Sequence, residues 1–292
     1  MSRREVTSDV WWKDGLVYCL DIETFLDTDG DGCGDIGGVI ERIDYPAGMG
    51  VTCLWLMPFF PSEQRDDGHD VTDFHAVDPR LGTLGDFAEM VRTAGDRGIR
   101  VFADLVVNHT SIRHPRFQRA RSSRESPFRD FYVWRDDPPA EDEEVVFPDQ
   151  DDSNWTWDED AGQFYLHRFY REQPGLNVAN PEMRDEIAQI AGFRMQQGLS
   201  GFRVDAVPFP VEPAGLPEGA IEDPHELLRD LHAHLGRRPA RPLRRRGAGA
   251  RPDLRLPRHA AHVPGPGPPT RRAADASRGP ARGAAGLRVG HI

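Results

Sequence analysis

The chain has 292 residues, 36 Lys and Arg against 48 Asp and Glu, and is long enough for one large α/β domain or two small ones. Its charge is unevenly placed: residues 237–292 hold 14 arginines and two acids, Asp253 and Asp275, so the remaining body is net −24. An acidic body repels phosphate backbones and anionic lipid, which argues against nucleic acid and membrane as its partners and leaves a neutral ligand such as a sugar open.

No run of 18 apolar residues is present, and the opening MSRREVTSDVWWKDG lacks the apolar stretch of a signal peptide. The three cysteines, Cys19, Cys33 and Cys53, are odd in number and read as buried, inert thiols of a reducing compartment. A cytoplasmic location is the expectation.

In chain order, four apolar runs rich in β-branched and aromatic residues predict strands: 16–25, 51–59, 99–107 and 201–207. Helical spacing lies between them. The stretch 84–97 closes at Gly98, and 181–197 opens on Pro181 and closes at Gly198. Strand and helix alternate, so a parallel sheet or barrel is predicted. Residues 1–109 would supply three strands and their helices, and 176–236 a fourth.

The span 110–175 between the third and fourth strands is far longer than one helix requires, and its middle mixes aromatic and acidic residues. It reads as an inserted subdomain overhanging a binding face. Trp134, Trp155, Trp157, Phe164 and Tyr165 could stack on sugar rings there, or pack within the insertion. Beyond residue 236 the pattern collapses: of 56 residues, 42 are Arg, Ala, Gly or Pro and none is aromatic, which predicts a disordered tail. A GC-rich gene read out of frame would give such a composition, and a basic nucleic-acid arm is the alternative.

The sharpest local pattern is Gly201-Phe202-Arg203-Val204-Asp205-Ala206-Val207. Residues two apart in a strand share a face, so Arg203 and Asp205 point one way and Phe202 and Val204 the other. A guanidinium beside a carboxylate favours its charged form and fixes its direction, as a nucleophilic carboxylate requires. A structural ion pair is the alternative. Asp104 and His109 end the preceding strand, where barrel sites assemble, although this histidine could be structural. The turn after the second strand offers Asp66, Asp67, His69 and Asp70 around Gly68, and an ordinary polar turn is again possible. In 27–38, carboxylates at alternate positions with a glycine at the sixth suit a hard cation, Ca2+ or Mg2+; Gly38 at the twelfth place argues against an EF-hand, and a capped acidic turn is the other reading.

Together, DTDGDGCGDIGG (27–38), DGHDVTDF (67–74), DLVVNHT (104–110), QPGLNVANP (173–181) and GFRVDAVP (201–208) resemble the α-amylase family of glycoside hydrolases, most closely its trehalose synthase and oligosaccharide α-glucosidase branch. The resemblance implies the N-terminal half of a (β/α)8 TIM barrel with an insertion after the third strand. It implies a retaining enzyme acting on α-linked glucose oligosaccharides such as maltose, by hydrolysis or glucosyl transfer. Asp205 is similar to the family's nucleophile and Arg203 to its partner, while Asp66, Asp104 and His109 resemble residues that hold the first sugar. His69 stands where a stacking tyrosine is usual. Asp27, Asp29, Asp31, the Cys33 carbonyl and Asp35 match the branch's structural metal loop. Gly175 replaces an aspartate. The family's general-acid glutamate on a fifth strand is missing, since Glu212, Glu218, Glu222 and Glu226 come too early. The chain therefore reads as cut short, inactive or weak alone, with a noncatalytic carbohydrate- or partner-binding remnant as the alternative.

Overall fold

A computed structural model describes residues 11, 13–137, 145–207, 216, 220, 223 and 225–236. The tail beyond 236 and Glu212, Glu218 and Glu222 lie outside the described residues.

Four parallel strands form the main sheet: β1 (Val17–Leu20), β2 (Cys53–Leu56), β3 (Arg100–Leu105) and β7 (Gly201–Val204), in the spatial order β1-β2-β3-β7. Each is shorter than the apolar run that announces it. In the first run the chain leaves the sheet at Asp21, whose carboxylate accepts from Glu23 N in a turn. In the second, Phe59 lies past the strand and stacks on Phe60 and on Phe87 of a helix, so its apolar character serves the core, not the sheet.

The helices that open at Ile36, Leu84 and Pro181 begin where a side chain satisfies their free backbone N–H groups. Between β1 and β2 lie α1 (Ile36–Arg42), capped by the Asp35 carboxylate, and the short α2 (Asp44–Gly48). Helix α3 (Leu84–Asp96) starts in a reciprocal capping box between Thr83 and Asp86. Its exit uses Gly98 at φ 77°. Helix α5 (Pro181–Gln196) has Pro181 in its first turn and Asn180 as the cap, and α6 (Glu226–Gly236) follows β7.

Burial alternates along β7, whereas β2 and β3 are buried at nearly every position. Leu20, Leu54, Leu56, Val101, Ala103, Leu105, Phe202 and Val204 are buried in the main core with the helices. Register then sets rows on the opposite face. Cys19, Trp55, Phe102 and Gly201 form one row, and Asp104 lies directly opposite Arg203 in the next. Trp11 closes the lower end of this face, 6.2 Å from the Phe102 ring and beneath the Arg100 guanidinium at 5.3 Å. Cys19 is on this less covered face and is exposed, Cys33 is half-buried and only Cys53 is buried, which corrects the reading of three inert buried thiols. Strand alternation, invisible while the pairing is unknown, makes the difference.

Between β3 and α5 lie α4 (Pro115–Ser122), a 3-10 turn at Arg129–Phe131, and an antiparallel sheet of β4 (Trp134–Arg135), β5 (Trp155–Asp158) and β6 (Gln163–Leu166) in the order β4-β6-β5. Tyr165 and Trp134 pack on Phe117 of α4, and Trp155 is buried in a small separate cluster with Val133 and Leu166. Those aromatics stabilise the sheet. Trp157, at 42% exposed, is the one of the five that faces solvent.

Arg194 of α5 is wholly buried, donates to the carbonyls of Phe74 and Ala76, and lies within 6 Å of the ring centroids of Phe59, Phe60, Phe87 and Phe193. Burial pushes its pKa down to about 10. The helix is thereby fastened to the segment that follows the 62–71 turn.

Candidate active site

At the C-terminal ends of β3 and β7 a guanidinium joins two carboxylates. Arg203 Nη1 donates to Asp104 Oδ1 at 2.9 Å and lies 2.7 Å from Asp205 Oδ1. The Arg203 head lies 5.1 Å from the Trp55 ring centroid, so its orientation is set from below as well as from its anions. Burial works against the Arg203 charge, but the carboxylates of Asp104 and Asp205 outweigh it and raise its pKa. Asp104 is 1% exposed, and its desolvation raises its pKa despite Arg203. Backbone pairing continues past β7, with Asp205 N donating to Leu105 O, and Ala206 then takes a left-handed φ of 52°. Arg203 and Asp205 thus share a face, with Asp104 beside them.

The segment 108–112 is the centre of the surrounding loops. Ser111 N donates to Val71 O on one side, while Ile112 N and Thr110 N donate to Glu172 O and Pro174 O on the other. His109 is buried on this segment, edge-on to Phe169 at 5.4 Å. Asn108 Nδ2 lies 3.2 Å from His109 Nδ1, and the amide donor there assigns the proton to Nε2, which has no hydrogen-bond partner. Desolvation, followed by the charge of nearby His69, holds the His109 pKa down to about 3. The ring is a neutral donor.

The 62–71 turn is tied by Asp70, wholly buried, whose carboxylate accepts from Glu63 N at 3.0 Å and Arg65 N at 3.3 Å. Left-handed residues Gln64 and Asp67 and Gly68 make the turn tight; a side chain at Gly68 would meet Pro58 O at 3.0 Å. The turn aims His69 inward. His69 Nδ1 is 3.0 Å from Asp66 O and Nε2 is 4.0 Å from Asp104 Oδ2. Asp66 is half-buried and its Oδ2 accepts from Gln173 Nε2 at 2.9 Å. Gly175 pairs with His109 as an isolated bridge, and a Cβ there would meet Leu166 no closer than 3.4 Å. No close approach forbids the aspartate it replaces.

Asp66, His69, Asp104, Arg203 and Asp205 are therefore linked by successive contacts, with His109 on the segment between the same loops. Gln173, Asn108, Phe169 and Trp55 complete the surroundings and were not singled out by sequence. Asn108 and Gln173 carried a signal, lying within the quoted DLVVNHT and QPGLNVANP.

In the 27–38 loop the carboxylates of Asp27, Asp29 and Asp35 come within 4.8 Å of one another. Asp35 also accepts from Thr28 and Gly38 N while capping α1. Asp31 is outside this group; its Oδ1 accepts from Cys33 N at 2.7 Å, a local turn that satisfies the backbone. The Cys33 thiol faces Gly34 O. Of the five expected ligands, the carboxylates of Asp27, Asp29 and Asp35 are the ones that converge. Glu226 sits in the first turn of α6, 2.6 Å from Arg184 Nη1, and is committed to that surface pair.

Residues 22–236 match the family model described as alpha amylase, catalytic domain. The chain belongs to the α-amylase family. Within it, the chain is similar to the trehalose synthase of Pimelobacter sp. strain R48 (43% identical; 75% of this chain, 38% of the relative). It is also similar to the oligo-1,6-glucosidase of Halalkalibacterium halodurans (38% identical; 72% and 38%). Among solved structures it resembles a trehalose-6-phosphate hydrolase of Bacillus licheniformis, with TM-score 0.69 and 34% identity over 77% of this chain and 42% of the other. A MutB variant in complex with glucose gives 0.70 and 33%, over 77% and 43%. The chain spans about two fifths of the length of these relatives, and its parallel sheet corresponds to the N-terminal half of the family's TIM barrel. Among the described residues, no helix is long and apolar enough to cross a membrane.

Proposed function

We propose that this chain carries the nucleophile and sugar-holding side of a site that acts on α-linked glucose, maltose being the probe substrate. The observation that carries the reading is the single guanidinium of Arg203, which binds Asp104 and Asp205 at the mouth of the sheet. In a retaining mechanism Asp205 Oδ attacks the anomeric carbon and the glycosidic bond breaks, while a second carboxylic acid protonates the departing oxygen. Arg203 orients Asp205, and Asp66, Asp104 and the neutral His109 Nε2–H supply polar partners for sugar hydroxyls. His69 takes the place of a stacking ring under that sugar.

Glu226 pairs with Arg184 and, among the described residues, makes no contact with Arg203 or Asp205, and the family's acid stands on a later strand. Turnover of natural glucosides by this chain alone is accordingly weak or nil. A second reading, a carbohydrate-binding protein without turnover, rests on the sugar-holding residues Asp66, Asp104 and His109 alone. Calcium or magnesium held by Asp27, Asp29 and Asp35 would brace the loop before α1, a structural role. A reducing, cytoplasmic setting suits the three free cysteines.

The test is maltose affinity by calorimetry, alongside turnover of an aryl α-glucoside. The account expects measurable affinity, abolished by Asp66→Ala in a protein that still melts cooperatively. A folded chain that ignores maltose defeats both readings. Fast hydrolysis defeats the proposal that turnover is weak.

A further inference from the structure

We propose that Gln173 is the positioning residue for Asp66, its amide clamping one carboxylate oxygen so that the other is presented to a glucose hydroxyl. The inference rests on the sugar-holding role given to Asp66 above. Gln173 is 1% exposed, and its Nε2 donates to Asp66 Oδ2 at 2.9 Å across 107 residues of sequence. The amide cannot be turned round, because its oxygen would then oppose a carboxylate. Its Oε1 is buried without a hydrogen-bond partner, so the bond to Asp66 is the one hydrogen bond of this side chain among the described residues. A hydrogen bond to a charged group is stronger than a neutral one and directional, so it fixes where the Asp66 oxygens lie.

Gln173 is not needed to join the two loops. The Arg65–Glu172 ion pair at 3.2 Å joins the same two segments directly, and segment 108–112 bridges them, with Ser111 N donating to Val71 O and Ile112 N and Thr110 N donating to Glu172 O and Pro174 O. Gln173→Leu therefore removes the clamp while leaving the frame.

The experiment is a double-mutant cycle of Gln173→Leu and Asp66→Asn in the full chain, with Glu172→Gln as control. It is read by the maltose dissociation constant and, without sugar, by urea unfolding. Gln173→Leu is expected to weaken maltose binding about tenfold, the loss of one charge-assisted hydrogen bond. In the Asp66→Asn background it is expected to add less than about twofold, and Glu172→Gln alone about as little. Unchanged affinity in Gln173→Leu, or a tenfold loss that survives in the Asp66→Asn background, overturns the proposal. If the parent chain itself ignores maltose, the functional reading fails and unfolding decides Gln173. Coupling of about threefold or more in the unfolding equilibrium constant supports the clamp, and strict additivity overturns it.

Discussion

Replacing Arg203 with methionine keeps much of the side chain's length and removes its charge, which isolates what the guanidinium does for its two acids. Asp104 is the vulnerable one: its side chain is 1% exposed, whereas Asp205 keeps 18%. Removing one partner of a buried ion pair costs about 3–5 kcal/mol, because the remaining charge is left desolvated. Two features reduce that here. Arg203 itself is 22% exposed, and His69 Nε2 lies 4.0 Å from the other Asp104 oxygen. A loss of about 3 kcal/mol at pH 7 is expected, measured by urea unfolding. The pH dependence is the sharper check. The Asp104 pKa is already raised by burial, and the substitution raises it further. A raised folded-state pKa costs stability above the ordinary carboxylate range and costs nothing once the group is protonated in both states. The deficit of Arg203→Met should therefore shrink as pH falls. A loss under about 1 kcal/mol, or one that grows on acidification, refutes the reasoning.

The pKa values of His109 and His114 are held down, to about 3 and about 4, both chiefly by burial. Their contribution is complete above pH 6.5 and is lost as pH falls toward those values, by about 2 kcal/mol for each at pH 5. His114→Asn keeps the cap that accepts from Arg116 N yet removes one titration, and should recover about 2 kcal/mol of the loss between pH 7 and pH 5; an unchanged slope contradicts this. Calcium at about a hundred times its dissociation constant should stabilise the chain by about 2.7 kcal/mol, and Asp27→Asn should abolish the effect. A melting temperature indifferent to calcium and to chelator removes the cation from the account. Thr83→Ala breaks the capping box of α3 and should cost about 1 kcal/mol by chemical denaturation, with no cost if the helix start is held otherwise.

Much of this site was legible because its logic is local. Period-two alternation alone put Arg203 and Asp205 on one side of β7, and the order of the motifs identified the family. What sequence could not supply is register. That Asp104 faces Arg203 follows from the pairing of β3 with β7, two segments about a hundred residues apart. The Gln173–Asp66 contact is equally remote. Arg194 illustrates another limit: a charged residue on a helix reads as surface, and only the ring of four phenylalanines and two carbonyls makes its burial tolerable. The 27–38 loop marks a third, since acids at ligand spacing also close their own turns, Asp27 on Gly30 N and Gly32 N and Asp31 on Cys33 N. Cys19 and Trp157 were ambiguous for a simpler reason, that an apolar or aromatic residue on a strand does not announce which face is covered.

The most direct test of the central claim is covalent trapping with 5-fluoro-α-glucosyl fluoride. Fluoride leaves without a proton donor, so the general acid is not required, and the ring fluorine slows release of the glycosyl ester. Asp205 attack at the anomeric carbon would displace fluoride and leave the sugar on that carboxylate. Peptide mass mapping is predicted to find the adduct at Asp205 and to lose it in Asp205→Asn. A folded chain that takes no label, or takes it on another residue, contradicts the assignment.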